Sequence, residues 1–222
     1  NFFSSKLYLV DTQSGETIQV ENDIGGLGVE STWSSDNQLL AISQYLFGHF
    51  FLVDAETGEV QSIPELGTIR YPTWSPDGQQ IAMVQEIPEG SNLLLFHLLD
   101  RTSTLLLSMP TQMKELIWSP DGSYIAFTHR QDNSITLSVV NLITSQPQEL
   151  WHLPNAERLH IQSWSPEGQW LLVTAGEMHI ADKAEEWAGL YLVHIETGEV
   201  IQIIDTTSHF DPYAFVWLSN IE

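Results

Sequence analysis

Residues 74–84 read WSPDGQQIAMV, and residues 118–128 read WSPDGSYIAFT. Weaker copies follow the same letters: WSSDNQLLAIS from Trp33, WSPEGQWLLVT from Trp164, and the start of a fifth, WLSN, at Trp217. The five tryptophans are spaced by 41, 44, 46 and 53 residues, a period that belongs to propeller blades and other arrays of one repeated supersecondary unit. Each copy has one grammar. A short extended stretch reaches the tryptophan, as in Tyr71-Pro72-Thr73-Trp74. Ser-Pro-Asp-Gly then makes a tight turn, with proline presetting φ and glycine taking φ > 0. A β-rich run follows, such as Ile81-Ala82-Met83-Val84, and after a variable loop a third run ends in a polar turn: LYLVDTQSGET from Leu7, FLVDAETGEV from Phe51, LYLVHIETGEV from Leu190. There Asp11 or Asp54 can accept bonds from the turn backbone before a fourth run begins. The unit is four short antiparallel strands.

A lone four-stranded sheet cannot bury both faces, whereas a ring of sheets covers each with its neighbour and leaves only short edges. The expected fold is therefore all-β, a five-bladed propeller of four-stranded antiparallel blades in one domain spanning 1–222. The blades are placed near 29–63, 70–109, 114–150 and 160–204. A composite blade is built from 213–222 with 1–20: the N-terminal third and fourth strands (Leu7–Val10, Thr17–Val20) join a C-terminal first strand, Ala214–Trp217. Each repeat tryptophan reads as a wedge between adjacent blades.

Composition bounds the rest. Hydrophobic residues make up 42% of the chain and there are eight tryptophans, ample for a large core. No run approaches the ~18 apolar residues of a membrane span. No cysteine is present, which excludes disulfides, thiolate zinc sites and a cysteine nucleophile. The chain begins at Asn1 and reads as a processed or excised piece. A net charge of −22, from 29 acidic and seven basic residues, repels a phosphate backbone, so nucleic acid is not an expected partner.

The string W-S-P-D-G-x-x-I-A followed by L-Y-L-V-D-x-x-[ST]-G-E resembles the repeat of TolB-type propellers, the WD40-like repeat also found in the propeller domains of prolyl-oligopeptidase-type peptidases. The Gly-His and Trp-Asp marks of true WD40 repeats do not occur. The resemblance implies a periplasmic or extracellular setting and a role in binding proteins or in gating an attached enzyme.

Strand alternation puts the Ser-Pro-Asp-Gly and Thr-Gly-Glu turns on one side, an acidic rim shaped by turn chemistry. The longer connections lie on the other side, where rigid scaffolds tend to carry binding residues. Four residues before each tryptophan stand Val29, Arg70, Lys114, His160 and Tyr213. Arg70, Lys114, Arg158 and His160 are expected to make a positive opening at the channel mouth, suited to a carboxylate on a protein, peptide or small anionic ligand. The other reading pairs each of them with Glu30, Glu115 or Glu157. Tyr71, Asp211 and Tyr213 border the same face. In the long insertion at Ala175–Gly189, Asp182-Lys-Ala-Glu185 has capping-box spacing for a helical turn with Trp187 as anchor.

No G-x-S-x-G, H-E-x-x-H, G-x-x-x-x-G-K-[ST] or EF-hand string occurs. Glu177, His179 and Asp182 lack fixed ligand spacing, so no metal and no cofactor is expected. The chain reads as a non-catalytic binding module. The alternatives are a propeller that gates an absent hydrolase domain, or a glycan-processing enzyme using Glu30 and Glu115 as paired carboxylates.

Overall fold

The repeat's extended stretches are strands in a computed structural model, which describes residues 6–20, 24, 28–44, 46–63, 66–154, 158–176 and 189–205. These residues contain eighteen strands and no helix. The chain divides into two compact units, Asn1–Ser108 and Met109–Glu222.

The first unit holds a two-stranded sheet, β1 (Tyr8–Val10) and β2 (Thr17–Gln19), and two four-stranded blades. One blade is β3 (Val29–Trp33), β4 (Leu39–Gln44), β5 (His49–Asp54) and β6 (Val60–Ile63). The next is β7 (Ile69–Trp74), β8 (Gln80–Ile87), β9 (Gly90–His97) and β10 (Thr102–Met109). The second unit repeats the plan twice. Its blades are β11 (Gln112–Trp118), β12 (Tyr124–Gln131), β13 (Ser134–Asn141) and β14 (Pro147–Pro154), then β15 (Arg158–Trp164), β16 (Trp170–Gly176), β17 (Gly189–His194) and β18 (Val200–Asp205). Every blade runs in simple antiparallel order. The proposed closing strand 214–217 and the insertion's candidate helical turn at 182–185 lie outside the described residues.

Second strands are sandwiched on both sides, so they read as unbroken apolar runs rather than alternating ones. Leu40 and Ile42 of β4 pack with Leu9 and Val20 of the N-terminal sheet. Between them Ala41 faces the other way, into a cluster with Phe50, Leu52, Ile81, Met83 and Phe96. Phe50 and Phe96 meet edge to face at 6.3 Å between centroids, a favoured aromatic geometry. In the second unit Leu137 and Val139 meet Leu171, Val173 and Val193 in the same manner.

Trp74 and Trp164 are wedges, 7% and 6% exposed. The Trp74 indole N–H donates to the Thr32 carbonyl at 3.0 Å, and that of Trp164 to the Ile117 carbonyl at 3.2 Å, each on the preceding blade. Trp33 departs from the wedge expectation: it is 46% exposed, and residues 213–222, expected to supply the first strand of the sheet before it, lie outside the described residues.

The Ser-Pro-Asp-Gly turn is held by its serine as much as by its aspartate. Ser119 Oγ donates to Asp121 Oδ1 at 2.6 Å and accepts the Tyr124 N–H at 2.9 Å. Ser75 and Asp77 repeat this, as do Ser34 and Asp36. The serine hydroxyl comes first among the donors that hold these carboxyls below the usual aspartate range. The acidic rim is built from turn-forming carboxylates.

Candidate functional site

First strands place Arg70 and His160, each four residues before a tryptophan, beside the preceding blade of the same unit. In the first unit Arg70 Nη2 lies 3.0 Å and Nε 3.2 Å from Glu30 Oε1, while the Tyr71 backbone N–H donates to Glu30 Oε2. Glu86 stands 3.6 Å from Arg70 Nη1, and the guanidinium sits over the Tyr71 ring, 4.9 Å from its centroid. In the second unit Glu115 takes the place of Glu30. One carboxylate oxygen pairs with His160 Nδ1 and the other accepts the Ile161 N–H at 3.1 Å. A glutamate three residues before one tryptophan thus clasps the next blade's backbone and its cation. Arg70 and His160 follow the pairing alternative raised from sequence; Glu157 lies outside the described residues.

β-Bulges adjust the register here. Pairing shifts between Arg70 and Thr73 and between Lys114 and Ile117, with Tyr71 at φ 52° and Glu115 at φ 54°. Left-handed backbone in residues with a Cβ costs free energy, and bulges re-aim side chains near sites.

Lys114, Arg158 and His160, named from sequence, come together in the second unit around a cleft of about 120 Å³. Glu115 lines it, and so do two residues that sequence reasoning missed, His129 and Arg130. Thr128 pairs with Lys114 across the sheet, so alternation puts Arg130, two residues on, on the same face as Lys114. The clue was available: three of the chain's seven Lys and Arg residues line this one cleft. Arg70 belongs to the first unit, in the grip of Glu30 and Glu86. Asp211 and Tyr213 lie outside the described residues.

The two histidines of the cleft have opposite tendencies. His129 is 5% exposed, with Nδ1 at 3.4 Å from Thr111 Oγ1 and Nε2 at 3.2 Å from Ser138 Oγ. Burial pushes its pKa down, aided by His152 and opposed by Glu149. The hydrogen bond to Glu115 raises that of His160, with burial and Arg158 opposing. His160 therefore contributes stability that is complete below the unfolded histidine value of about 6.5 and is lost as pH rises through its raised folded pKa. His129 contributes stability that is complete above about 6.5 and is lost as pH falls through its lowered folded pKa. The second unit should be most stable near pH 6.5. Histidine-selective NMR should show His160 titrating above that pH and His129 below it.

Both carboxylates of the nominated catalytic pair, Glu30 and Glu115, are acceptors of a backbone N–H from the following blade. His194 Nδ1 takes the place that Asp54 Oδ1 holds in its turn, accepting the Thr197 N–H at 3.3 Å. Among the described residues no three His, Asp or Glu side chains converge as a metal site. Glu177, His179 and Asp182 lie outside them.

No family model matches the chain. Solved structures do match. A putative TolB from Agrobacterium tumefaciens has a TM-score of 0.64 at 17% identity, over 91% of this chain and 74% of that one. One of two prolyl endopeptidases gives 0.66 at 15%, over 91% of this chain and 33% of that one. The β-propeller domain of the Trilobed protease from Pyrococcus furiosus gives 0.58 at 15%, over 81% and 59%. The chain has the β-propeller fold that TolB shares with the propellers of these peptidases. Its five described sheets agree with a five-bladed propeller. No helix among the described residues is long and apolar enough to cross a membrane.

Proposed function

We propose that the protein is a non-catalytic binding propeller whose cleft at Lys114, Arg130, Arg158 and His160 takes a carboxylate presented by a protein, a peptide or a small ligand. The observation that carries the reading is this concentration of cations in a chain of net charge −22. Lys114 is exposed and makes no ion pair among the described residues, which leaves its ammonium available to an anion. The surrounding charge repels polyanions over a Debye length of about 8 Å, so the site favours a single carboxylate over a phosphate chain or an acidic polymer. The periplasmic or extracellular setting implied by the repeat belongs to the same reading.

The likeness to peptidase propellers supports a second role, that of a filter for a hydrolase domain. The two roles differ in what a longer gene product would encode.

The test is an N-acetylated pentapeptide with uncharged side chains and a free C-terminal carboxylate, titrated at low salt. The double substitution Lys114→Ala, Arg158→Ala should weaken binding at least tenfold, and amidation of the peptide's C-terminus should do the same. Affinity unchanged by both would contradict the proposal.

A further inference from the structure

The turns joining third and fourth strands share one conformation, and two of the five break the residue rule, one with a serine and one with an arginine. At its left-handed position, where the N–H bonds the carbonyl four residues back, stand Gly15, Gly58, Arg101, Ser145 and Gly198. Glycine is the default there because a Cβ is penalised at such φ. Space enforces it as well. A Cβ on Gly58 would lie 2.6 Å from Ile18 Cγ2, and one on Gly198 would lie 3.1 Å from the Leu150 carbonyl oxygen. In both seams the preceding blade closes over the turn.

At Arg101, φ 59°, the seam has opened instead. Between β5–β6 and the β9–β10 turn lies a cleft of about 310 Å³ that includes Arg101. The matching seam of the second unit is latched by Gln148, whose Nε2 donates to the carbonyls of Ile195 and Glu196 at 3.2 and 3.4 Å. Gln61 occupies the same register position, opposite Leu52 as Gln148 is opposite Val139. Among the described residues its amide makes no such bond. A strained backbone position, a long cation where a glycine is the rule, and an unlatched seam coincide at one place.

The floor of this cleft is apolar: Leu39, Leu52 and Leu98. Its rim carries both signs of charge, Arg101 against Asp54 and Glu59. Among the described residues the Arg101 guanidinium and the Glu59 carboxylate bond neither each other nor any other group. Asp54 commits Oδ1 to the N–H groups of Glu56 and Thr57 and to the Thr57 hydroxyl, which leaves Oδ2 for a ligand. Those bonds, the Thr57 N–H foremost, hold its carboxyl below the usual range. Polar groups thus converge over leucine side chains in an open cleft near the lower size limit of small-ligand pockets, about 300 Å³.

We propose that this seam binds a small zwitterion with an apolar body, an apolar amino acid or dipeptide. Its carboxylate takes the fork of Arg101, its ammonium takes Glu59 and the outer oxygen of Asp54, and its side chain covers the leucine floor. The site lies in the first unit and does not rest on the carboxylate cleft of the second.

The test is NMR titration with L-leucine, following the amides of Gln61, Leu98 and Arg101. Saturable shifts are expected, with affinity reduced at least tenfold for leucinamide and for N-acetyl-leucine, each of which lacks one charge. Arg101→Gly installs the residue that three of the five turns carry, so it should fold and lose the saturable response; Glu59→Gln is a second variant with the turn intact. Lys114→Ala should leave the response unchanged. Absence of saturable shifts with L-leucine, equal binding of leucinamide, or an affinity unaltered by both Arg101→Gly and Glu59→Gln would overturn the proposal.

Discussion

Trp164→Ala should destabilise the protein by about 3–5 kcal/mol, the usual range for deleting a buried tryptophan. The indole is 6% exposed and joins one cluster with residues of both second-unit blades. A tryptophan buries about 200 Å², which at ~25 cal/mol per Å² is about 5 kcal/mol, consistent with that range. The substitution also removes the N–H that reaches the Ile117 carbonyl. Trp33→Ala is the internal control: its side chain is 46% exposed, so its loss should cost less than half as much. Denaturant midpoints of the two variants provide the comparison, with an unchanged slope marking a change in stability alone. Equal costs would mean that position in the repeat, rather than burial between blades, sets the tryptophan's contribution.

Glu30→Ala and Glu115→Ala should each cost about 2 kcal/mol, because each removes the acceptor of a neighbouring blade's backbone N–H together with a cation's partner. The two clasps should part company with pH. Arg70 stays charged throughout, so the coupling between Glu30 and Arg70 in a double-mutant cycle should be the same at pH 6 and pH 9. The coupling between Glu115 and His160 should be full at pH 6 and fade as pH rises through the raised His160 pKa, since neutral imidazole loses the ionic part of the bond. A Glu115–His160 coupling that persisted undiminished at pH 9 would show that a neutral hydrogen bond carries it, and a coupling absent at both pH values would show that the clasp acts through the Ile161 N–H alone.

The repeat made the blades legible because its markers are local: proline and glycine at fixed turn positions, a tryptophan at the end of each first strand, and strand-length apolar runs. Position within the ring is not local. Trp33 carries the same letters as Trp74, yet it is 46% exposed where Trp74 is 7% exposed. The cation positions of the site were legible through alignment on tryptophan, which singled out Arg70, Lys114 and His160. Their partners were less so, because Glu30 and Glu115 act one blade away in space and about 40 residues away in sequence, and alignment within a repeat does not reveal contact between repeats. Alignment on tryptophan covers the first strands alone and does not reach Arg130, although strand pairing brings the end of β12 beside the start of β11. Arg101 was hidden because the turn's glycine rule shows only when all copies are superposed in conformation.

The most direct test of the anion cleft follows the His160 and His129 ring signals while the N-acetylated peptide with a free C-terminal carboxylate is added at pH 6 and low salt. The account predicts saturable movement of the His160 signal, a further rise in its pKa on binding, and loss of both effects in Lys114→Ala, Arg158→Ala. Ring signals unmoved at saturating peptide would contradict it, as would the same movement with the C-terminal amide.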